Sequence, residues 1–145
     1  EAVSIATGTS KVTKDNIVVT DAGTPVKLNV MPASADAPKE SAPIQASTVK
    51  SDANTVKISV SSAGFVPNTF TVKAGQLVNF VLTSTDEYTH VWLPDDQSLV
   101  ATALGVAGHE TRVKSWNAPK KGTYKFHCDI PGHSDRGEVG TMIVQ

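Results

Sequence analysis

Cys128 is the only cysteine of the 145-residue chain, and His133 and Glu138 follow it at intervals of five residues within the stretch FHCDIPGHSDRGEVG. A thiolate and an imidazole separated by a turn that contains Pro131 and Gly132 can reach one point, because that turn bends the chain back on itself. Soft sulfur and borderline nitrogen are metal donors, and Glu138 puts a carboxylate where a further ligand is expected. A lone cysteine also packs well as a small hydrophobe, so its neighbours must decide between the two roles. One cysteine forms no intramolecular disulfide, which leaves the redox compartment unspecified by cysteine counting.

The other histidines sort by position. His90 ends the polar loop STDEYT where a strand pattern resumes as HVWL, a place from which a loop can present a ring to a site built by another loop. His127 precedes Cys128, so strand alternation turns it to the opposite face and makes it a poor ligand, though an exposed imidazole there would lie beside an electron path. His109 sits in the polar turn Ala107-Gly108-His109-Glu110 and is expected in solvent. His90, Cys128 and His133 therefore form a trigonal set of one thiolate and two imidazoles. That set suits copper, whose Cu(I) state favours sulfur while nitrogen serves both oxidation states. Zinc accepts the same donors, commonly with a fourth.

The elements that must position these groups are strands. Val56, Ile58 and Val60 alternate with polar residues, Phe70 and Val72 continue the alternation, and Ala74-Gly75 turns the chain. Leu77–Leu82 is apolar on both faces, as a central strand is. Val91 and Leu93 suggest another strand, as do Thr111, Val113 and Ser115, and Asn117–Gly122 supplies a turn. Tyr124, Phe126 and Cys128 share one strand face, and Met142 and Val144 close the chain. Only Gln97–Leu104 offers a helical turn or two. Short strands with regular turns imply an all-β, Greek-key β-sandwich over residues 55–145.

Residues 1–54 differ. Val18-Val19 and the alternating Val26, Leu28 and Val30 predict two short strands around the turn DAGTP, followed from Pro32 to Asn54 by an Ala/Ser/Pro-rich arm or linker. Such an extension could tether the domain to a surface or cover a sheet edge. Lysine plus arginine number 13 against 14 acidic residues, which argues against nucleic acid as partner. No apolar run approaches the roughly 20 residues of a membrane-spanning helix. No secretory leader is seen at Glu1, and the expectation is that any such leader has been removed.

The runs FVPNTFTVKAGQLVNFVLTSTDEYTH (from Phe65) and GTYKFHCDIPGHSDRGEVG (from Gly122) resemble the cupredoxins, over about Thr55 to Gln145. The resemblance implies an eight-stranded sandwich with a type 1 copper near one end, held by His90, Cys128 and His133. It also implies single-electron transfer outside the cytoplasm with a redox partner protein, docked over the edge of His133 where Asp129, Ser134, Asp135 and Arg136 gather.

Two places depart from that pattern. The blue members usually carry methionine where this chain has Glu138, within Gly137-Glu138-Val139-Gly140. Glu138 could bind the metal, swing aside and leave the position open, or be a surface charge; Met142, four residues on, belongs to the core, and Met31 has no motif support. A replaced axial methionine resembles the red and purple copper proteins of ammonia oxidisers, which implies a link to a small nitrogen oxide, with nitric oxide oxidised to nitrite and Glu138 as proton acceptor. Val91 stands where a polar residue often follows the first histidine, so the hydrogen bonds that brace the sulfur must come from Thr89 or from backbone groups.

Overall fold

The computed structural model describes residues 11–13, 15–20, 22–28, 34–35, 43–45, 53–130, 132–133, 135 and 137–145. In chain order its strands are β1 (Lys11–Val12), β2 (Val18–Val19), β3 (Pro43–Ile44), β4 (Thr55–Ser61), β5 (Gly64–Val66) and β6 (Thr69–Val72). Then come β7 (Leu77–Ser84), β8 (His90–Pro94), β9 (Leu104–Val106), β10 (Thr111–Asn117), β11 (Gly122–His127) and β12 (Val139–Val144). A 3-10 segment, Gln97–Thr102, lies between β8 and β9 where the sequence offered its helical turn; the Asp96 side chain accepts from Ser98 N at its start.

The strands form two five-stranded sheets, in the orders β3-β10-β7-β4-β5 and β6-β12-β11-β8-β9. Hairpin pairs β4-β5, β8-β9 and β11-β12 stay adjacent, while the other neighbours come from distant parts of the chain: β4 runs parallel to β7, as β12 does to β6. This is the all-β sandwich with crossed connections that the alternating pattern implied. β7 lies at the centre of its sheet, which is why Val78, Phe80, Val81 and Leu82 are all buried and its apolar character extends to both faces. In β11 only Tyr124 and Phe126 turn inward, and Cys128 continues their face just past the strand.

An aromatic wall fills the interior. Trp92 and Trp116 stack with planes 7° apart, Phe80 packs 4.4 Å from Trp92 between ring centroids, and Phe126 meets Trp92, Phe70 and the edge of Phe65. Such rings bury large areas with few rotatable bonds, so the strands that carry them are held firmly. Met142 is in this core, as the alternation with Val144 required.

The N-terminal residues depart from expectation in one respect. β2 pairs with β1 as a ladder, and its contact with the chain beyond Gly23 is, among the described residues, an isolated bridge of Val19 with Pro25. Thr20 N donating to Thr24 O at 2.8 Å and Val26 N to Val18 O at 3.0 Å flank that bridge. Gly23, at φ 87°, turns the chain where DAGTP predicted, but Pro25 has no N–H to offer a ladder. Val30, Met31 and most of the arm over 32–54 lie outside the described residues. Within that arm β3 pairs with Thr111 and Arg112 at the edge of β10. Asn16, buried at φ 60°, ties the hairpin to the sandwich: its Nδ2 donates to Tyr124 Oη at 2.9 Å and its Oδ1 accepts from Lys120 N at 2.8 Å.

Candidate metal centre

The sheet that contains β8, β11 and β12 brings the four sequence-selected residues to one end of the sandwich. His90 opens β8, Cys128 follows β11, and Glu138 precedes β12. His133 sits between them in a turn closed by its N–H donating to Ile130 O at 3.0 Å, with Gly132 in the left-handed region at φ 84°. Backbone bonds lace the loop further: Cys128 N donates to Glu138 O at 2.9 Å and Glu138 N to His133 O at 3.2 Å. Gly137, at φ 101°, allows the reversal that points the glutamate inward. A Cβ at Gly140 would collide with the Phe126 ring and the Asn68 carbonyl, so the second residue of β12 has to be glycine.

One donor atom from each of His90, Cys128, His133 and Glu138 lies within 4.8 Å of every other. His90 Nδ1 is 2.6 Å and His133 Nδ1 3.1 Å from the same Glu138 oxygen, and Cys128 Sγ is 3.5 Å from His133 Nδ1. His90 and Glu138 are fully buried, and only the His133 side chain, at 12 % exposure, touches solvent. Glu138 is therefore no solvated surface charge. His109 is exposed, and the half-exposed His127 pairs through Nδ1 with Asp95 on the other face of β11. Both stand apart from the cluster, as the sequence suggested. Of the polar rim, Asp129 and Asp135 are exposed, while Ser134 and Arg136 lie outside the described residues.

The sulfur is braced by backbone. Val91 N donates to Cys128 Sγ at 3.3 Å, and the Ile130 amide does likewise, whereas Thr89 is exposed. Burial nonetheless pushes the Cys128 thiol up; those two amides pull the other way, and the Glu138 carboxylate adds to the rise. A buried thiol beside a carboxylate and two imidazoles is a poor arrangement for an empty core and a good one for a cation that displaces the thiol proton. The donor set fits copper: a thiolate and two nitrogens suit both oxidation states, and the carboxylate oxygen favours Cu(II).

One residue of the site was not selected from sequence. Asp86 Oδ1 accepts from His90 Nε2 at 2.9 Å, the nitrogen that faces away from the cluster. Burial opposes charge on Asp86, but the bonds from His90 and from the Tyr88 and Ser62 amides outweigh it and hold its carboxyl well below the usual carboxylate range. The available signal was its place four residues before His90 in a polar loop, where aspartate readily accepts from amides two residues on.

The model of a cupredoxin-like domain matches residues 33–144. The chain belongs to the cupredoxin-like family. A curated relative, the copper-resistant cuproprotein CopI of Rubrivivax gelatinosus, is 30% identical over 98 residues, which are 56% of this chain and 59% of that protein. The chain thus spans less than two thirds of that relative's length. Among solved structures, auracyanin A, a blue copper protein of Chloroflexus aurantiacus, superposes with a TM-score of 0.55 at 24% identity, covering 63% of this chain and 98% of its own. Dithionite-reduced auracyanin from Roseiflexus castenholzii gives 0.56 at 21% identity, covering 66% and 99%. At these identities the two structures show the fold that this cupredoxin shares. No helix among the described residues is long and apolar enough to cross a membrane.

Proposed function

We propose that this cupredoxin is a mononuclear copper protein that transfers single electrons, with His90 Nδ1, Cys128 Sγ, His133 Nδ1 and a Glu138 oxygen as its ligands. The observation that carries the reading is the convergence of those four donor atoms within 4.8 Å at a buried sheet end. Copper there supplies a one-electron Cu(II)/Cu(I) couple. The protein's part is to keep the donors in one arrangement through the cycle, which the backbone-laced loop and the aromatic wall behind it do, and to keep water out. His133, whose edge alone reaches solvent, is the point at which a redox partner protein would exchange electrons. In this reading residues 55–145 carry the redox centre, residues 1–54 are an extension whose described hairpin and β3 pack on the sandwich, and the setting is the extracytoplasmic one that the family resemblance implies.

Catalysis on a nitrogen oxide would need Glu138 to leave its place and open the fourth position. Its complete burial and its contacts to both imidazoles favour the ligand role and electron transfer. Titration with Cu(II), followed in the visible spectrum, tests the reading: one equivalent should give an intense thiolate-to-copper band that Cys128→Ser abolishes. Absence of the band in the native protein would end the proposal.

A further inference from the structure

The strongest unassigned feature is the carboxylate behind His90. Asp86 collects donors on both oxygens: Oδ2 accepts from Ser62 N at 2.8 Å and Ser62 Oγ at 3.2 Å, while Oδ1 accepts from Tyr88 N at 3.0 Å as well as from His90 Nε2. Its backbone is also fixed, since Ser84 Oγ donates to Asp86 O at 3.2 Å and His109 N donates to the same oxygen at 3.0 Å. Gly108 sits so close behind the loop that a Cβ there would collide with the Glu87 carbonyl. The carboxylate can neither rotate nor withdraw without breaking several bonds. It stands in one place, and the His90 ring is docked against it.

We propose that Asp86 is a positioning residue of the copper centre: it fixes the His90 ring so that Nδ1 faces the metal, and its charge, relayed through the ring, favours Cu(II) over Cu(I). A ligating imidazole whose second nitrogen donates to a carboxylate is fixed in tautomer and orientation and becomes a stronger donor. An imidazole bound on one side alone would be free to turn about its Cβ–Cγ bond. Asp86 prevents that turn in a site whose other three donors come from the opposite segment of chain, residues 128–138. The centre is thus completed by the 84–90 loop only because Asp86 orients the one donor that loop contributes.

The proposal rests on the copper reading, and the two can fail separately. Three measurements on Asp86→Ala and Asp86→Asn decide it: crystal structures of the metal-free proteins, copper affinity by chelator competition, and the reduction potential. In Asp86→Ala the His90 ring should leave its place beside Glu138, and copper affinity should fall about 10–100-fold. Asp86→Asn keeps an acceptor, so its ring should stay, while the preference for Cu(II) over Cu(I) should fall about tenfold, equivalent to roughly 59 mV for one electron. An unmoved ring in Asp86→Ala overturns the proposal, as do a copper affinity and a Cu(II)-over-Cu(I) preference within about twofold of native in both variants. If Asp86→Ala does not fold, the potential of Asp86→Asn decides alone. If the native protein takes up no copper, the copper reading falls, and the ring position still decides whether Asp86 positions His90.

Discussion

His90 Nδ1 and Glu138 Oε1 lie 2.6 Å apart inside the protein, across 48 residues of sequence, with neither side chain exposed. The glutamate therefore shares the site with the imidazole instead of standing at its rim.

This contact sets the first prediction. Replacing Glu138 by methionine exchanges a hard oxygen for a soft thioether and should favour Cu(I), raising the reduction potential by at least about 59 mV, a tenfold change in the ratio. The copper form should at the same time turn from red or purple to blue. An unchanged spectrum and potential would show that Glu138 does not touch the metal.

The raised Cys128 thiol sets the second. Because the folded, metal-free thiol is protonated at neutral pH, binding must expel its proton. Apparent copper affinity should accordingly climb with pH, by up to about tenfold per unit below the thiol's own value. Isothermal titration in buffers of different ionisation enthalpy measures the released proton directly, and no release would contradict the assignment of Cys128 as ligand.

Away from the site, Glu110 accepts from Arg112 Nε at 2.6 Å and from Ala107 N at 3.1 Å, and the guanidinium in particular holds its carboxyl below the ordinary range. A folded-state value lower than the unfolded one, about 4.3, means that the unfolded chain binds the proton first as pH falls. The stability from Glu110 is therefore complete above about pH 5 and lost as pH drops through the lowered value. Urea unfolding of the native protein and Glu110→Gln should differ by about 1 kcal/mol at pH 7 and converge as pH falls through the lowered value; a constant gap would refute the linkage.

The clasp at Asn16 gives a fourth expectation. Asn16→Ala leaves the Lys120 amide without its acceptor and Tyr124 Oη without its donor, at a cost of about 1–3 kcal/mol. The φ of 60° at this position adds to the penalty, since alanine enters that region less readily than asparagine. Chemical denaturation reads the loss. An unaffected midpoint would mean that the Asn16 bonds add nothing to the stability of the sandwich.

The centre was legible because its donors are chemically rare. One cysteine, a histidine across a Pro-Gly turn and a strand-entry histidine stand out in any sequence, and alternation alone assigned Tyr124, Phe126 and Cys128 to one face. What escaped has no periodicity to read. β3 is two residues long in an Ala/Ser/Pro-rich stretch, and the partner of β2 is a two-residue strand whose pairing depends on the turn at Asn16. Asp86 escaped for another reason: an aspartate in a polar loop is common, and only the folded loop shows the His90 ring against it. Val26 and Leu28 alternate as a strand would, and Val26 N donates to Val18 O at 3.0 Å, but Pro25 has no N–H to give and the pairing stays an isolated bridge.

One of the two amides that brace the Cys128 sulfur belongs to Val91, whose side chain takes no part in that bond. Any residue but proline keeps the donor, so the position is open to mutational drift while the electronic environment of the sulfur stays constant. Inheritance of this brace is a matter of chain path rather than of residue identity. A search for such centres that demands a polar side chain after the first histidine would pass over chains built like this one.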